Sequence, residues 1–324
     1  MIDFEYVDAK SLDELKASLT DTWDDVAILA GGTDVLDRIK ERLLEPRRVV
    51  NIKGIPELGG IRNGNGLTIG PLTTMSVLAS DDRIAKSYPV LQEAAHAVAT
   101  PQLRNMGTLG GNLCQRPRCW YYRNSDTPCL KSGGAKCWAF EGLNKYHAIF
   151  GGGPSYIVHP SDTAPALQAL DAKLEIVGAG GTREVGLDEF YQLPTKNTVR
   201  ESNLEANEVI TKVKVPALAK GTRSTYLKFR EKQSLDFAVS SVAAVLTLDG
   251  STVKSARIVL GGVAPVPWRS KPAEDALTGK KLDDASITAA AEAAVDRAKP
   301  LDHNAFKVPL TRNLVRRALE SLAS

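Results

Sequence analysis

The sequence lacks the features that mark several classes of protein. No apolar run approaches the length of a membrane span, and a net charge of +3 is too small to indicate nucleic-acid binding. The opening residues, Met-Ile-Asp-Phe-Glu-Tyr, show neither the basic nor the apolar region of a secretory signal. We therefore expect a cytoplasmic protein with no membrane or nucleic-acid partner. Its 324 residues suggest about two domains.

Cysteine is scarce, and all four cysteines lie in one stretch, as Cys114-x4-Cys119-x9-Cys129-x7-Cys137. Four soft ligands so close in sequence indicate an iron–sulfur cluster, a zinc ion or two disulfides. Disulfides belong to oxidising compartments and to domains too small to bury a core, which disfavours them here. Structural zinc sites usually supply thiolates in close pairs such as Cys-x2-Cys, which this sequence lacks.

Cys-x4-Cys does occur in ferredoxin-type clusters, so the spacing favours iron–sulfur, either [4Fe–4S] or [2Fe–2S], and zinc remains the alternative. His147 and His159 are candidate replacements for a thiolate, although four cysteines already complete a site. Neither helical nor strand periodicity is sustained between the first and last cysteines. Aromatic residues there argue against disorder, so we expect a functional loop whose Lys and Arg offset the negative charge of a cluster.

The remaining pattern is typical of an α+β protein. A capping box from Ser11 to Glu14 predicts a helix that begins near Ser11. Before Pro216, strands are predicted at residues 26–30, 48–52, 67–69, 155–158, 173–177 and 209–215, and helices at 35–44 and 91–99. After Pro216, strands are predicted at 225–229, 239–248 and 253–260, and helices at 273–278, 287–298 and 310–322. This order predicts an antiparallel sheet with helices on one face, and a domain boundary near Pro216.

Two glycine motifs follow or join these elements: Ala30-Gly-Gly-Thr-Asp-Val35 and Asn105-Met-Gly-Thr-Leu-Gly-Gly-Asn-Leu113. Neither is a Rossmann or P-loop fingerprint. A glycine pair exposes backbone N–H groups, so a phosphate can approach them closely. Thr33 and Thr108 add hydroxyl groups. Each motif alone is typical of a turn, but two motifs beside a redox cluster favour one dinucleotide pyrophosphate, and a flavin is the simplest such cofactor.

These motifs, with His159-Pro-Ser-Asp-Thr-Ala-Pro, resemble the FAD-binding medium subunits of the xanthine dehydrogenase family over nearly the whole chain. The resemblance implies an α+β fold. A two-part FAD-binding domain of the PCMH/vanillyl-alcohol-oxidase type would span residues 1–216. A C-terminal domain of the carbon monoxide dehydrogenase flavoprotein type would span 217–324. Residues 114–150 would be an insertion, called the cysteine loop below. It resembles the [4Fe–4S] insertion of 4-hydroxybenzoyl-CoA reductase beta subunits, and some bacterial aldehyde oxidoreductases have a similar one.

The resemblance also implies residue roles. FAD would be bound by residues of both glycine motifs and two later positions: Leu29, Ala30, Gly31, Gly32, Thr33, Asp34, Val35, Leu36, Thr108, Gly110, Gly111, Asn112, Leu113, Asp162 and Lys228. The cluster would be bound by Cys114, Cys119, Cys129 and Cys137. Asp162 has the alternative role of capping a helix over 164–170. Lys228 has the alternative of pointing into solvent from an alternating strand.

The function implied is that of an oxidoreductase subunit that transfers electrons through FAD and [4Fe–4S]. The implied partners are a molybdopterin-containing large subunit, a small subunit with two [2Fe–2S] clusters and reduced ferredoxin as donor, in a dimer of heterotrimers. The expected reaction is reductive removal of the phenolic hydroxyl of 4-hydroxybenzoyl-CoA in anaerobic aromatic degradation, on the large subunit, with no catalytic residue in this chain. The alternatives are the flavin subunit of an aldehyde oxidoreductase, or a zinc-stabilised flavin-binding interaction module.

Overall fold

Three β-sheets organise the part of the chain that the computed structural model describes, residues 3–323. The first sheet is parallel, in the order β1-β3-β2, and comprises β1 (Glu5–Asp8), β2 (Val26–Leu29) and β3 (Arg48–Asn51). The second is antiparallel, in the order β4-β5-β8-β6-β7, and comprises β4 (Ile61–Gly64), β5 (Gly66–Ile69), β6 (Lys173–Gly178), β7 (Gly181–Gly186) and β8 (Val209–Val215). The third is antiparallel, in the order β12-β11-β10-β9, and comprises β9 (Thr222–Phe229), β10 (Ser240–Asp249), β11 (Thr252–Gly261) and β12 (Trp268–Arg269).

The helices before the third sheet are short. They are α1 (Leu12–Ser18), α2 (Val35–Lys40), α3 (Met75–Ser80), α4 (Asp82–Ser87), α5 (Pro89–Ala97), α6 (Pro101–Met106), α7 (Leu109–Cys114), α8 (Thr163–Ala169) and α9 (Leu187–Phe190). After the sheet come α10 (Lys271–Leu277), α11 (Asp284–Ala293) and α12 (Lys307–Ala323). Two 3-10 turns cover Pro56–Leu58 and Leu130–Ser132. Within residues 3–323 no helix is long and apolar enough to cross a bilayer.

The third sheet is buried on both faces, which explains the continuous apolar run in β10. Val242, Ala244 and Leu246 alternate onto the face that packs with α10, α11 and α12. Ala243 and Val245 lie on the opposite face, against α5 and α8 of the preceding part of the chain. The prediction of an antiparallel sheet with the C-terminal helices on one face is therefore confirmed.

Local sequence signals set most element boundaries. Ser11 accepts a hydrogen bond from the backbone N–H of Glu14 at 3.2 Å, so the predicted capping of α1 is confirmed. The helix predicted to reach residue 44 ends at Lys40 instead, because Arg42 takes a left-handed conformation with φ of 56°.

One predicted strand, residues 155–158, is wrong. The backbone of this segment bonds to unrelated loops: the Tyr156 carbonyl accepts from Ala148, and the Tyr156 N–H donates to the Cys137 sulfur. Ile157 is buried, but no neighbouring strand in the described part of the chain forms a ladder with this segment. A short apolar run cannot show whether such a partner exists.

Candidate functional site

The two glycine motifs pack against each other at the carboxyl end of β2. A Cβ atom on Gly31 would overlap the backbone carbonyl of Met106, and would lie 3.1 Å from the Cα of Gly107. Gly32 takes a φ of 78°, which favours glycine. Gly110 lies against Pro71, whose carbonyl accepts its N–H at 2.8 Å. Three glycines are therefore required by packing and backbone conformation before any ligand is considered.

The first motif leaves backbone donors free. Within residues 3–323, the N–H groups of Gly31, Gly32 and Thr33 donate no hydrogen bond. In the second motif, the Thr108 hydroxyl accepts from the Gly111 N–H at 3.3 Å and so caps α7. Free N–H groups in a glycine-rich turn suit a phosphate. The chemistry of these donors therefore fits the pyrophosphate of FAD.

Two cavities are lined by residues of both glycine motifs. One, of about 210 Å³, is lined by both motifs and by Leu113, Cys114 and His159. The other, of about 510 Å³, is lined by both motifs and by Asn112, Asp162 and Lys228. Both are lined by Gly31, Gly32 and Thr33, and together they are called the cleft below. A dinucleotide held at its pyrophosphate needs space next to these N–H groups, and the two cavities provide it.

The predicted FAD residues fall into two groups. Most line the cleft: Ala30, Gly31, Gly32, Thr33, Asp34, Val35, Leu36, Thr108, Gly111, Asn112, Leu113, Asp162 and Lys228. Leu29 instead packs beneath the first motif with the small core cluster that contains Ala27 and Val49, and Gly110 packs on Pro71. Their contribution is to shape the loop that lies above them.

Asp162 and Lys228 form a buried ion pair on one wall of the cleft. The Lys228 Nζ lies 2.7 Å from the Asp162 carboxylate, and each side chain is about 5% exposed or less. Tyr226 donates its hydroxyl to the same carboxylate at 2.6 Å. Asp162 occupies the N-cap position of α8, as the alternative expected, but its side chain makes no capping hydrogen bond; the Ala164 N–H donates to the Ser161 hydroxyl at 3.0 Å. The solvent alternative for Lys228 is wrong because its side chain is buried.

Asn112 connects the second motif to the segment that carries Asp162. Its side-chain carbonyl accepts the hydroxyls of Ser161 and Thr163, each at 2.6 Å. The side-chain oxygen of Asn112 therefore positions the start of α8, and with it the wall of the cleft.

Asp34 belongs to both the cleft and the cysteine loop. Its carboxylate accepts Arg123 at 2.6 Å, Arg118 at 2.9 Å and the backbone N–H of Arg116 at 3.1 Å. Burial alone would raise the pKa of Asp34, but the charges of Arg118 and Arg123 lower it below its usual value. The ionised carboxylate therefore holds the cysteine loop against the first glycine motif.

Three of the four cysteines are mutual neighbours. Burial raises the pKa of the Cys119 thiol to about 12, and the proximity of Cys129 and Cys137 adds to the increase. The backbones of residues 129 and 136 pair through a short bridge, which places the last two cysteines together. Cys114 lies apart, at the end of α7, where its sulfur faces the cavity beside Leu113.

Within residues 3–323, no three His, Cys, Asp or Glu side chains are close enough to hold one metal ion. A structural zinc ion needs four ligand atoms at about 2.0–2.3 Å. In a [4Fe–4S] cluster each thiolate binds a different iron, so the thiolates lie farther apart than those around one zinc ion. Four thiols along one ordered loop have the chemistry to bind a cluster or a zinc ion. The assignment of all four cysteines to one cluster stays a prediction.

Glu201 is a site residue that sequence reasoning missed. Its two carboxylate oxygens bind the Arg116 Nε at 3.0 Å and the Lys131 Nζ at 2.6 Å, and all three side chains are buried. Burial alone would raise the pKa of Glu201, but these two cations lower it. The basic residues of the loop were expected to offset a cluster's charge. Arg116 and Lys131 pair with Glu201, and Arg118 and Arg123 pair with Asp34, so each carboxylate offsets one of its two cations and one positive charge remains at each point.

The two histidines considered as ligands have different surroundings. The His147 Nε2 lies 3.2 Å from the Cys119 sulfur, whereas His159 packs edge-on against the Tyr191 ring at 4.5 Å. Burial lowers the pKa of each imidazole to about 4. Both rings are therefore neutral at physiological pH, and His147 is the one in contact with a cysteine.

The end of the cysteine loop is held by the C-terminal part of the chain. Lys307, at the start of α12, is fully buried and donates to the carbonyls of Tyr146, His147 and Gly262 at 2.7–3.0 Å. Asn304 also donates to the His147 carbonyl, at 3.1 Å. Burial lowers the pKa of Lys307 to about 7. These contacts are called the C-terminal latch.

Comparison with known proteins agrees with this geometry. Residues 2–218 match the family described as FAD binding domain in molybdopterin dehydrogenase. Residues 224–322 match the CO dehydrogenase flavoprotein C-terminal domain. The chain is 37% identical to the aldehyde oxidoreductase FAD-binding subunit PaoB of Escherichia coli (strain K12), over 88% of this chain and 87% of that protein.

The chain is also 32% identical to the carbon monoxide dehydrogenase medium chain of Hydrogenophaga pseudoflava, over 98% of this chain and 96% of the other. A solved structure of that organism's enzyme, lacking the Mo-pyranopterin moiety of its cofactor, matches with a TM-score of 0.79, over 99% of this chain and 98% of that chain. The predicted fold, a FAD-binding domain followed by a flavoprotein C-terminal domain, is confirmed. The chain belongs to the FAD-binding medium subunits of the molybdenum hydroxylase family.

Proposed function

We propose that this oxidoreductase subunit holds both FAD and a [4Fe–4S] cluster and relays electrons between them. The observation that carries the proposal is the position of Asp34. Its backbone belongs to the first glycine motif, and its carboxylate anchors Arg118 and Arg123 of the cysteine loop at 2.9 and 2.6 Å. The cysteine loop therefore begins at the wall of the FAD cleft, which brings two redox groups within the same small region.

A second contact supports short-range transfer. The Arg118 guanidinium lies 5.0 Å from the centre of the Phe237 ring. Both residues line the flavin cleft, and both also line a separate cavity of about 320 Å³ that reaches Cys119 and His147. A single layer of side chains therefore separates the cleft from one of the cysteines.

When bound, FAD supplies two-electron chemistry that can be divided into single-electron steps. The chain's own groups position it. Gly31, Gly32 and Thr33 offer N–H donors to the phosphates, and the Asp162–Lys228 pair places fixed charges on the cleft wall. We assign no acid or base for an organic substrate to this subunit. Substrate chemistry then belongs to a molybdopterin-containing large subunit.

The proposed complex also includes a small subunit with two [2Fe–2S] clusters, assembled as a dimer of heterotrimers. The names of the relatives, which are medium chains or FAD-binding subunits, support such an arrangement. We propose the division of this chain at Pro216 into FAD-binding and C-terminal domains, supported by the change from the second to the third sheet between β8 and β9.

Two substrates are candidates for the complex. The 37% identity to the PaoB subunit, over 88% of this chain, favours an aldehyde, with electrons leaving through the flavin. The resemblance of the cysteine loop favours 4-hydroxybenzoyl-CoA, with electrons arriving from reduced ferredoxin. To distinguish the two substrates, purified complex is assayed with aromatic and aliphatic aldehydes, and separately with 4-hydroxybenzoyl-CoA and a reduced ferredoxin. Turnover of aldehydes alone contradicts the assignment as a 4-hydroxybenzoyl-CoA reductase. Turnover of the thioester alone contradicts the assignment as an aldehyde oxidoreductase.

Replacing Cys129 with serine is expected to remove the cluster and leave FAD bound, because Cys129 is buried inside the loop and does not line the cleft. The wild-type chain should contain about four irons with acid-labile sulfide. Iron, zinc and flavin analysis with visible spectra measures both. Ser132→Ala, on the exposed side of the same turn, is the matched control and should retain iron. One zinc without iron in the wild type contradicts the proposal.

A further inference from the structure

The contact between His147 and Cys119 is not explained by packing alone. The His147 Nε2 lies 3.2 Å from the Cys119 sulfur, within hydrogen-bond distance for sulfur. The ring is 4% exposed and lies in an aromatic surround of Trp120 and Tyr121, with ring centres 5.8 and 6.2 Å away. His147 is therefore buried, whereas Cys119 is partly exposed and both residues line the cavity of about 320 Å³.

The backbone of His147 is held by contacts that do not involve Cys119. The His147 backbone N–H donates to the Asn144 carbonyl at 3.0 Å. Its own carbonyl accepts Lys307 at 3.0 Å and Asn304 at 3.1 Å. These bonds anchor the backbone of His147 to the C-terminal part of the chain. The fold therefore sets the position of the His147 backbone beside the sulfur.

We propose that His147 donates a hydrogen bond from Nε2–H to the cluster-bound thiolate of Cys119 and so raises the reduction potential of the cluster. The inference rests on the proposed [4Fe–4S] assignment. In this proposal His147 tunes the cluster through a hydrogen bond and is not a metal ligand.

The direction of the bond follows from the chemistry of a ligated thiolate. A metal-bound cysteine has lost its proton, so its sulfur can only accept, and the imidazole must donate. The electron added on reduction increases the negative charge on the sulfurs. A donor therefore stabilises the reduced state more than the oxidised state, and the potential rises. Hydrogen bonds to sulfur are an established means of setting iron–sulfur potentials.

The neighbouring sulfur offers a useful contrast. Cys137 accepts the backbone N–H of Tyr156 at 3.5 Å, a longer contact that side-chain substitution does not remove. The His147 bond is shorter and can be removed by mutation. A change at this one side chain therefore isolates one donor from the others around the thiolates.

The test is a redox titration of the purified holoprotein, followed by EPR for the cluster and by visible absorbance for the flavin. Iron and flavin content are measured first. His147→Phe keeps a planar ring and removes the donor, so the cluster potential should shift to a more negative value. His147→Gln retains an N–H donor and should lie closer to the wild type. The flavin potential should be unchanged in both variants.

Pulsed EPR of the reduced wild-type protein labelled with ¹⁵N-histidine provides a readout that does not depend on either variant folding. A weak nitrogen coupling in the wild-type protein is expected for a hydrogen bond through sulfur. A strong coupling of the kind given by directly bound nitrogen overturns the inference, because His147 is then a ligand. An unchanged cluster potential in His147→Phe with full iron content also overturns it. Absence of iron from the wild-type protein removes the cluster proposal itself, and this inference with it, before any potential is measured.

Discussion

Glu201→Ala is expected to lower the free energy of unfolding by about 3–5 kcal/mol, the cost typical of breaking a buried ion pair. The substitution leaves two cations, Arg116 and Lys131, without their carboxylate in an environment where each is less than one-tenth exposed. Chemical denaturation of the purified subunit, followed by tryptophan fluorescence, measures the change.

The same substitution is expected to release the cysteine loop. Arg116 precedes Cys119, and Lys131 follows Cys129, so Glu201 holds two separated parts of the loop at one point. Both cations also donate to carbonyls next to Glu201, at 2.7 and 2.9 Å. Without the carboxylate, iron content should fall even at temperatures where the rest of the subunit stays folded.

Glu141→Ala is the matched control. Glu141 also belongs to the cysteine loop and pairs with a lysine, Lys136, at 3.1 Å, but both side chains are more than half exposed. Surface pairs contribute about 0–1 kcal/mol, so stability and iron content should change little. Equal losses in the two variants contradict the role given to Glu201, since burial is what distinguishes the pairs.

Gly31→Ala is expected to abolish FAD binding and to destabilise the subunit by about 3 kcal/mol, at the upper end of overpacking effects. The added methyl group would overlap the Met106 carbonyl, which is backbone and cannot rotate away. The two glycine motifs must then separate, and the N–H donors of the first motif move from their place in the cleft. Flavin fluorescence after denaturation gives the bound FAD, and thermal unfolding gives the stability.

Variants at two further glycines distinguish a loss of FAD binding from a loss of stability. Gly180→Ala is the neutral control, because nothing lies within 4 Å of the added Cβ and its φ is not positive. Gly111→Ala places a methyl group on the cleft wall, with the Thr108 hydroxyl at 3.1 Å as its near neighbour. It should reduce FAD affinity with little effect on the stability of the apoprotein. Normal FAD binding by Gly31→Ala contradicts the packing argument.

Sequence patterns predicted the helices and strands whose formation depends on residues adjacent in the sequence. The apolar run in β8 and the capping box at Ser11 gave the strand and the helix with their observed limits or close to them. The glycine motifs could be recognised because a close backbone approach restricts the residue type. Residues 155–158 show the same apolar character as a strand, but only the rest of the fold decides whether a partner strand is available.

The ion pairs that position the site were beyond sequence reasoning. Glu201 lies 70 residues from Lys131 and 85 from Arg116, and nothing in its local sequence distinguishes it from a surface carboxylate. The same holds for Lys307, which reads as an ordinary charge at the start of a helix but is fully buried. Such contacts depend on which segments the topology brings together, and no local pattern records that.

The C-terminal latch has a consequence for the timing of maturation. Tyr146 and His147 are held by Lys307, which lies near the end of the chain. A nascent chain that has not yet emerged beyond α11 cannot make these bonds, although all four cysteines have already been synthesised. The end of the cysteine loop at Tyr146 and His147 therefore reaches its final contacts only after translation is almost complete.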